Sequence, residues 1–412
     1  MTNQARLTLN ETVPMDPAII ADPYPRYRQL REEDPVHWNQ GINCWVLTRY
    51  TDVLAALRDQ RLSSAQISAF SERLPDAAAE KIEPLTRLFS DMMLMSDRLD
   101  HTRLRKLANK AFTPRVVERM RSSIQATTDV LLDSIEKDGG SHGRFEVIKD
   151  LANPLPAIVI PEMLGVPAGD RDQFKIWSGH LAAFLGNIRT VSETAEIAQS
   201  SAFEMSDYLR KIISQRRNDP QDDLISDLVA AEEEGGSFSE AELFSMCILL
   251  MLAGHETTTN LIGNGLLALL QNRDQLERLY ADSGMIETAV EEFLRYESPI
   301  QSAARIAMED IEIGGQRIDK GQRVTLMLGA ANRDRERFSN PDRLDITRED
   351  NRHLSFGFGP HFCLGSALAR VEGQIVIGTV VQRWPGMQLA GDDFEWRYNP
   401  SFRSLISLPV AY

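Results

Sequence analysis

A chain of 412 residues with 42% hydrophobic and 25% charged side chains has the make-up of a globular protein with ample core. With 60 acidic against 45 basic residues its net charge is −15, which argues against general attraction to nucleic acid or to an anionic membrane. Cys44, Cys247 and Cys363 form neither a disulfide framework nor a zinc-type pair, which favours a reducing, cytoplasmic setting.

The start, Met1-Thr2-Asn3-Gln4, leads into no apolar run, so neither signal peptide nor membrane anchor is expected, and residues 1–15 are expected to be flexible. A short helix around Tyr24 to Glu33 and a strand over Cys44 to Thr48 come next. From about residue 51 to 295 the spacing predicts mostly helix: Thr113 to Glu136, stopped by Asp138-Gly139-Gly140, then Leu151 to Leu164, Phe203 to Arg217 and Asp222 to Glu234. Ser239-Glu240-Ala241-Glu242 reads as a capping box opening a long helix to about Leu270. Its apolar stretch from Ile248 to Ala253 is too short to span a bilayer. Beyond Pro299, short strands are expected at Arg305 to Ile306, Ile311 to Ile313, Gln316 to Ile318 and Arg323 to Leu328, with Gly314-Gly315 and Lys320-Gly321 as turns. A last long helix runs from beyond Cys363 to about Trp384, and short strands end the chain.

Two segments break local rules. Phe356-Gly357-Phe358-Gly359-Pro360-His361-Phe362-Cys363-Leu364-Gly365 presents one cysteine on a glycine-punctuated loop just before a helix, where unpaired N–H groups favour a thiolate. The glycines let backbone pass close to something flat and large, such as a haem; a free cysteine is otherwise most often a small buried hydrophobe. Ala253-Gly254-His255-Glu256-Thr257-Thr258-Thr259 places a glycine, a carboxylate and three β-branched residues inside the apolar long helix. Small Ala253 and Gly254 open a groove, and an acid beside an alcohol there can relay protons. Alternatively, Glu256 joins a structural ion pair and the threonines bond to carbonyls one turn earlier.

The cysteine loop resembles the haem-binding signature of the cytochrome P-450 family, and Ala253, Gly254, Glu256, Thr257 and Thr258 resemble its oxygen-activation motif. The likeness runs from about residue 20 to the end. It implies a mainly α fold, a single large helical domain over 1–412 with a minor β-sheet region, and haem b between the central distal helix and the helix after the cysteine loop. By the same resemblance Cys363 is the iron ligand, Phe356 and Gly357 lie against the haem, and His101, Arg105, Arg305 and His361 meet its propionates. Glu256 and Thr257 are the catalytic pair. Glu292 and Arg295, three apart on one helix face, resemble the Glu-x-x-Arg element that braces the cysteine loop, although an exposed pair of that kind is ordinarily worth little. Asn332-Arg333-Asp334 and Phe338 to Asp342 resemble the preceding meander. Glu256 stands where many relatives have aspartate.

The implied reaction inserts one oxygen atom of O2 into an apolar small molecule. A hydrogen-peroxide-dependent peroxygenase and a non-catalytic haem sensor are the alternatives. Residues 98 to 121 hold eight Lys or Arg, most expected on a solvated face. An acidic ferredoxin or flavodoxin, served by its reductase, is expected to dock over Lys106 and Lys110 and feed electrons to a monomeric enzyme. The resemblance places Phe89, Met92, Met93, Leu94, Leu249, Ala253, Ile300, Ser302 and Phe402 around the substrate. Each also reads as ordinary core.

Overall fold

The computed structural model describes residues 17–66, 76–139, 143–186, 191–233, 236–391, 394–399 and 401–412. The segment 1–15, expected to be flexible, lies outside the described residues. Two compact units emerge, and each is built from separated stretches of chain. One comprises residues 1–63, 263–363 and 391–408; the other comprises 64–262, 364–390 and 409–412.

The first unit holds a five-stranded sheet in the order Val36–Asn39, Cys44–Leu47, Arg323–Met327, Ser302–Ala307, Leu62–Ser63. Cys44–Leu47 pairs in parallel with Arg323–Met327, which returns antiparallel to Ser302–Ala307. Val36, Leu47, Val53, Leu57, Val324, Leu326, Phe338 and Leu354 close its core. The strand Val36–Asn39 is additional to those expected: its four residues carry two polar side chains, and only the pairing with Cys44–Leu47 fixes it. Ile311–Ile313 and Gln316–Ile318 form the expected hairpin, and Gly314 and Gly315, with φ of +57° and +78°, supply the left-handed pair that a tight two-residue turn needs.

The second unit is helical. Its elements include Asp76–Ser90, Arg98–Ala111, Pro114–Gly139, Arg171–Gly186 and Val191–Asn218. Val191–Asn218 begins a dozen residues before the expected start, where Ser and Thr weaken the helical signal while Ala195, Ala198 and Ala202 pack inward. The expected helix over 151–164 is split. Pro154 has no N–H to offer the preceding turn, and the chain widens into a π-turn, Ile148–Ala152, before the α-helix Pro154–Met163. A three-stranded sheet in the order Arg144–Glu146, Pro409–Ala411, Gln388–Leu389 closes this unit, with Trp384 stacked on Tyr412 at 4.3 Å.

The long helix spans Glu240–Gln271, and its capping box forms as expected. Glu242 accepts the Ser239 N–H at 2.7 Å, and Ser239 Oγ accepts the Glu242 N–H at 3.2 Å. Residues through Ile262 belong to the second unit, and those from Gly263 to the first.

Candidate active site

In the first unit the cysteine loop is tied down at its start. Asn332 accepts the Leu354 N–H at 2.7 Å and donates to Ser298 and Ser355 at 2.8 Å each, while Ser355 donates to the Leu294 carbonyl. The Cys363 N–H then reaches back to the Phe356 carbonyl at 2.9 Å and closes the loop. Gly357 and Gly359 sit at φ of +69° and +74°, which a side chain would strain, and a Cβ on Gly359 would press on the Leu57 carbonyl at 3.1 Å. Phe358 and Phe362 stay exposed on this loop, the former under the Arg58 guanidinium at 4.2 Å.

The three cysteines separate cleanly. Cys247 is buried and its thiol is pushed up to about 12 by burial; Cys44 is buried, also raised by burial, and bonded to Thr325. Neither is a thiolate at neutral pH. Cys363 alone is partly exposed, on the loop three residues before the helix Ser366–Arg383 begins.

Behind that loop lies the Glu292–Arg295 pair, which is fully buried rather than exposed. Arg295 grips Glu292 with two bonds of 2.8 Å and donates to the carbonyls of Asn332, Pro341 and Arg343. Glu292 also receives the Asp345 N–H, Arg348 and Asn351. The pair therefore organises the meander, and through Asn332 it reaches the first residues of the cysteine loop. Arg305 lies nearby in sequence on the strand Ser302–Ala307; it is buried, with Nη1 on the Ala304 carbonyl. His361 is partly buried in the short 3-10 turn Gly359–His361.

In the second unit, His101 is buried on the helix Arg98–Ala111, with Arg105 partly buried one turn on. Arg103 between them turns away to Glu242 and the Ser237 carbonyl. Two further members of the basic cluster are spent on surface ion pairs, Arg119 with Asp222 and Asp227, and Arg121 with Glu118. Lys106 and Lys110 are exposed.

The middle of the long helix is open where its flanks are buried: Ala253 is exposed, and Glu256 and Thr257 are partly so, between buried Met251 and Thr258. Both readings of the threonines survive in part. Thr257 Oγ1 donates to the Ala253 carbonyl at 2.7 Å, so its proton is spent and its lone pairs remain to accept from a water or a substrate. Thr259 bonds back to His255 at 3.0 Å in the same way.

Sequence reasoning missed one residue. Glu372, on the helix Ser366–Arg383, is buried; Oε2 accepts from Thr258 at 3.2 Å, and Oε1 has no partner. Its signal was present, a lone carboxylate among the apolar positions Leu368, Val371, Ile375 and Val376 of a helix, the same local breach that marks Glu256. Burial pushes this carboxyl up to about 8, so it is neutral at pH 7. Between the ordinary value of 4.5 and 8 the folded chain holds a proton that the unfolded chain has released. Its contribution to stability is therefore complete below 4.5 and is lost as pH rises through 8. Glu372→Gln, which cannot titrate, is expected to gain stability over the parent as pH rises through that window, reaching a few kcal/mol on the order-of-magnitude scale of 1.4 kcal/mol per pK unit. Thermal unfolding of both proteins between pH 5 and 8.5 checks this; parallel curves contradict it.

Of the expected substrate residues, Phe89 is buried and stacks on Phe184 at 5.9 Å, and Met92, Met93 and Leu249 are also buried. Leu94 is exposed. Ile300, Ser302 and Phe402 are partly buried, and Ile300 pairs with Phe402 in an isolated bridge.

Comparison with known proteins decides the family. The family model described as cytochrome P450 matches residues 44–400. The chain belongs to the cytochrome P450 family. This P450 is 42% identical to the polyketide biosynthesis cytochrome P450 PksS of Bacillus subtilis over 95% of its own length and 96% of that protein. It is 43% identical to the biotin biosynthesis cytochrome P450 of the same organism over 95% and 97%. Among solved structures, P450BioI in complex with a hexadec-9Z-enoic acid ligated acyl carrier protein superposes with a TM-score of 0.87 at 42% identity, covering 96% of this chain and 99% of that one.

The expected P450 fold, mainly helical with minor sheets, is thereby established. The protein is a haem-thiolate monooxygenase that uses O2 and a redox partner. Taken unit by unit, the residues have the chemistry a haem would need: the first unit holds a partly exposed thiol on a loop opened by left-handed glycines and a buried Arg305, and the second holds a buried His101 and a helix face kept small at Ala253. Among the described residues no helix is long and apolar enough to cross a membrane.

Proposed function

We propose that the enzyme hydroxylates or epoxidises an apolar small molecule of medium or large size, with electrons from a separate ferredoxin or flavodoxin and its reductase. The observation that carries the proposal is the contrast between Cys363, partly exposed on its glycine loop, and the two buried, protonated thiols. Cys363 holds the iron of haem b, Phe356 and Gly357 lie against the ring, and His101, Arg105, Arg305 and His361 meet the propionates. The haem, when bound, supplies dioxygen binding and activation, and thiolate donation favours O–O cleavage.

Around it the chain's own residues handle protons. Thr257, its hydroxyl proton committed to Ala253, accepts a hydrogen bond and fixes a water; the neighbouring Glu256 carboxylate passes protons to that water from solvent. Ala253, Ile300, Ser302 and Phe402 face the substrate in this reading, with Phe89, Met92, Met93, Leu94 and Leu249 shaping the wall. A fatty-acyl or polyketide chain suits such an apolar, methionine-rich wall, in keeping with the relatives' names. Exposed Lys106 and Lys110 offer the acidic redox protein its charged contact.

A peroxygenase has no need of an acid and alcohol side by side in an opened helix. Turnover of free fatty acids and macrolactones separates the two. Product from NADPH, ferredoxin and ferredoxin reductase, with little from hydrogen peroxide alone, is expected. Equal or greater product from peroxide alone would contradict the reading.

A further inference from the structure

The segment Asn351 to Phe356 leads into the cysteine loop, and two adjacent acids in the middle of the helix Ile286–Tyr296 hold it. Glu292 accepts from the Asn351 side-chain amide at 3.1 Å, and the Asn351 carbonyl accepts the His353 N–H at 2.9 Å. Glu291 meets the His353 ring instead, with Oε2 at 3.2 Å from Nε2. One residue along a helix is about 100° around its axis, so the two carboxylates leave the helix in different directions and grip the same short stretch at different points.

The partners of His353 fix its hydrogen-bond roles. The Ser355 N–H donates to Nδ1 at 3.2 Å, so that nitrogen carries a lone pair, and the ring proton sits on Nε2, facing the Glu291 carboxylate. The His353 side chain is only 3% exposed. In so dry a position a donor or acceptor that loses its partner has little water to replace it.

Two routes lead from this ring toward the thiol. Ser355, whose N–H it takes, spends its hydroxyl on the Leu294 carbonyl and is thereby fixed through both side chain and backbone. Phe356 follows, and its ring lies against the imidazole at a centroid distance of 5.8 Å and an angle of 49°. The Phe356 carbonyl then accepts the Cys363 N–H, the bond that closes the cysteine loop. From the helix to the cysteine the path runs through Glu291, His353 and Phe356, by two hydrogen bonds and one ring contact.

We infer that His353, held by Glu291, is a positioning residue for Phe356 and, through it, for the Cys363 backbone; this rests on Cys363 being the iron ligand. The helix Ile286–Tyr296 thus braces the loop with a second acid, distinct from the one in the Glu292–Arg295 pair. That pair organises the meander and the entry to the loop, whereas His353 orients the residue that closes it.

The test uses the holoenzyme and separates the two bonds of the ring. In His353→Asn the amide oxygen can stand where Nδ1 does and take the Ser355 N–H, but the side chain stops short of Glu291. In His353→Gln the amide reaches Glu291 and gives up Ser355. His353→Leu loses both bonds, and Glu291→Leu removes the anchor from the other end. Two quantities are read, the hydrogen exchange of the Ser355 and Cys363 amides and the rate at which the reduced carbonyl complex loses its thiolate-type band on warming. Loss of one hydrogen bond corresponds to exchange about 2- to 10-fold faster, so His353→Leu should show that acceleration at both amides and lose the band faster by a similar factor. His353→Asn should keep Ser355 exchange near the parental value while His353→Gln should not, and both should hold the band longer than the leucine variant. Parental exchange and band lifetime in His353→Leu overturn the inference. Equal acceleration at Val324 and Leu326 in the sheet core overturns it too, since His353 would then be a general stabilising residue. Should His353→Leu yield no holoenzyme, Glu291→Leu carries the same comparison, and parental values there overturn the inference. If Cys363→Ser keeps the thiolate-type band, the ligand reading falls; faster exchange at Ser355 in His353→Leu then still supports the brace, and parental exchange there overturns it.

Discussion

Replacing Arg295 by alanine is expected to leave little or no folded, haem-loaded enzyme. Both partners of the Glu292–Arg295 pair are completely buried, and the guanidinium supplies two bonds to the carboxylate and one to each of three carbonyls in the meander. Truncation leaves an underpaired buried carboxylate, a loss of about 3–5 kcal/mol in such settings. That is a large share of the roughly 5–15 kcal/mol that holds a domain together. Damage then spreads along a defined path: Asn332 carries the Arg295 contact to Leu354 and Ser355, where the cysteine loop begins. Arg295→Lys keeps the charge but cannot reproduce the fork, so it should fall between the parent and the alanine variant. Haem content and the thermal midpoint of purified protein are the measurements. An alanine variant matching the parent in both would show that the buried network is dispensable.

Thr257→Ala is expected to do the opposite, keeping the fold and the haem while losing the coupling of electrons to product. The side chain is partly exposed in the open middle of the long helix and its hydroxyl bonds locally, to the Ala253 carbonyl one turn back, so its removal leaves no buried group stranded. What disappears is an acceptor at the open helix face. Proton transfers by placed groups are commonly worth about 100-fold or more, so product per electron should fall at least about tenfold, with peroxide or water taking the balance. Thr257→Ser retains a hydroxyl able to donate to Ala253 and should retain most of the yield. Product yield, oxygen uptake and peroxide measured on one sample decide it; an alanine variant with parental yield would remove Thr257 from the relay.

Local signals in the sequence sufficed for several features whose partners are close in the chain. The capping box of Ser239 and Glu242, the Gly314-Gly315 hairpin and the helix Tyr24–Glu33 depend on residues a few positions apart, and each appears as expected. The breach of helical rules over residues 253–259 coincides with an exposed Ala253 in an otherwise buried element, whereas Gly254, expected to help open a groove, instead passes close against Ile160. Long-range pairings were not legible. Glu372 meets Thr258 across 114 residues and His255 meets Asn153 across 102, so no local pattern joins them. The burial of Glu292 and Arg295 was hidden for the same reason: their spacing of three is visible, but the carbonyls that enclose Arg295 come from Asn332, Pro341 and Arg343. The π-turn at Ile148–Ala152 is masked because the apolar spacing runs on through Pro154 as if the helix were continuous. Substrate residues fared least well, since burial of Phe89 or Met92 is compatible with core and with pocket alike.

Every role proposed for the site depends on Cys363 being the iron ligand, and the reduced carbonyl spectrum of the holoenzyme reads that ligation out. The parent should show the strongly red-shifted carbonyl band that thiolate ligation confers. Cys363→Ser should lose that band, while Cys44→Ser and Cys247→Ala, at buried thiols kept protonated, should retain it. A thiolate-type band persisting in Cys363→Ser would mean that another residue holds the iron and that the loop carrying Cys363 does not bind it.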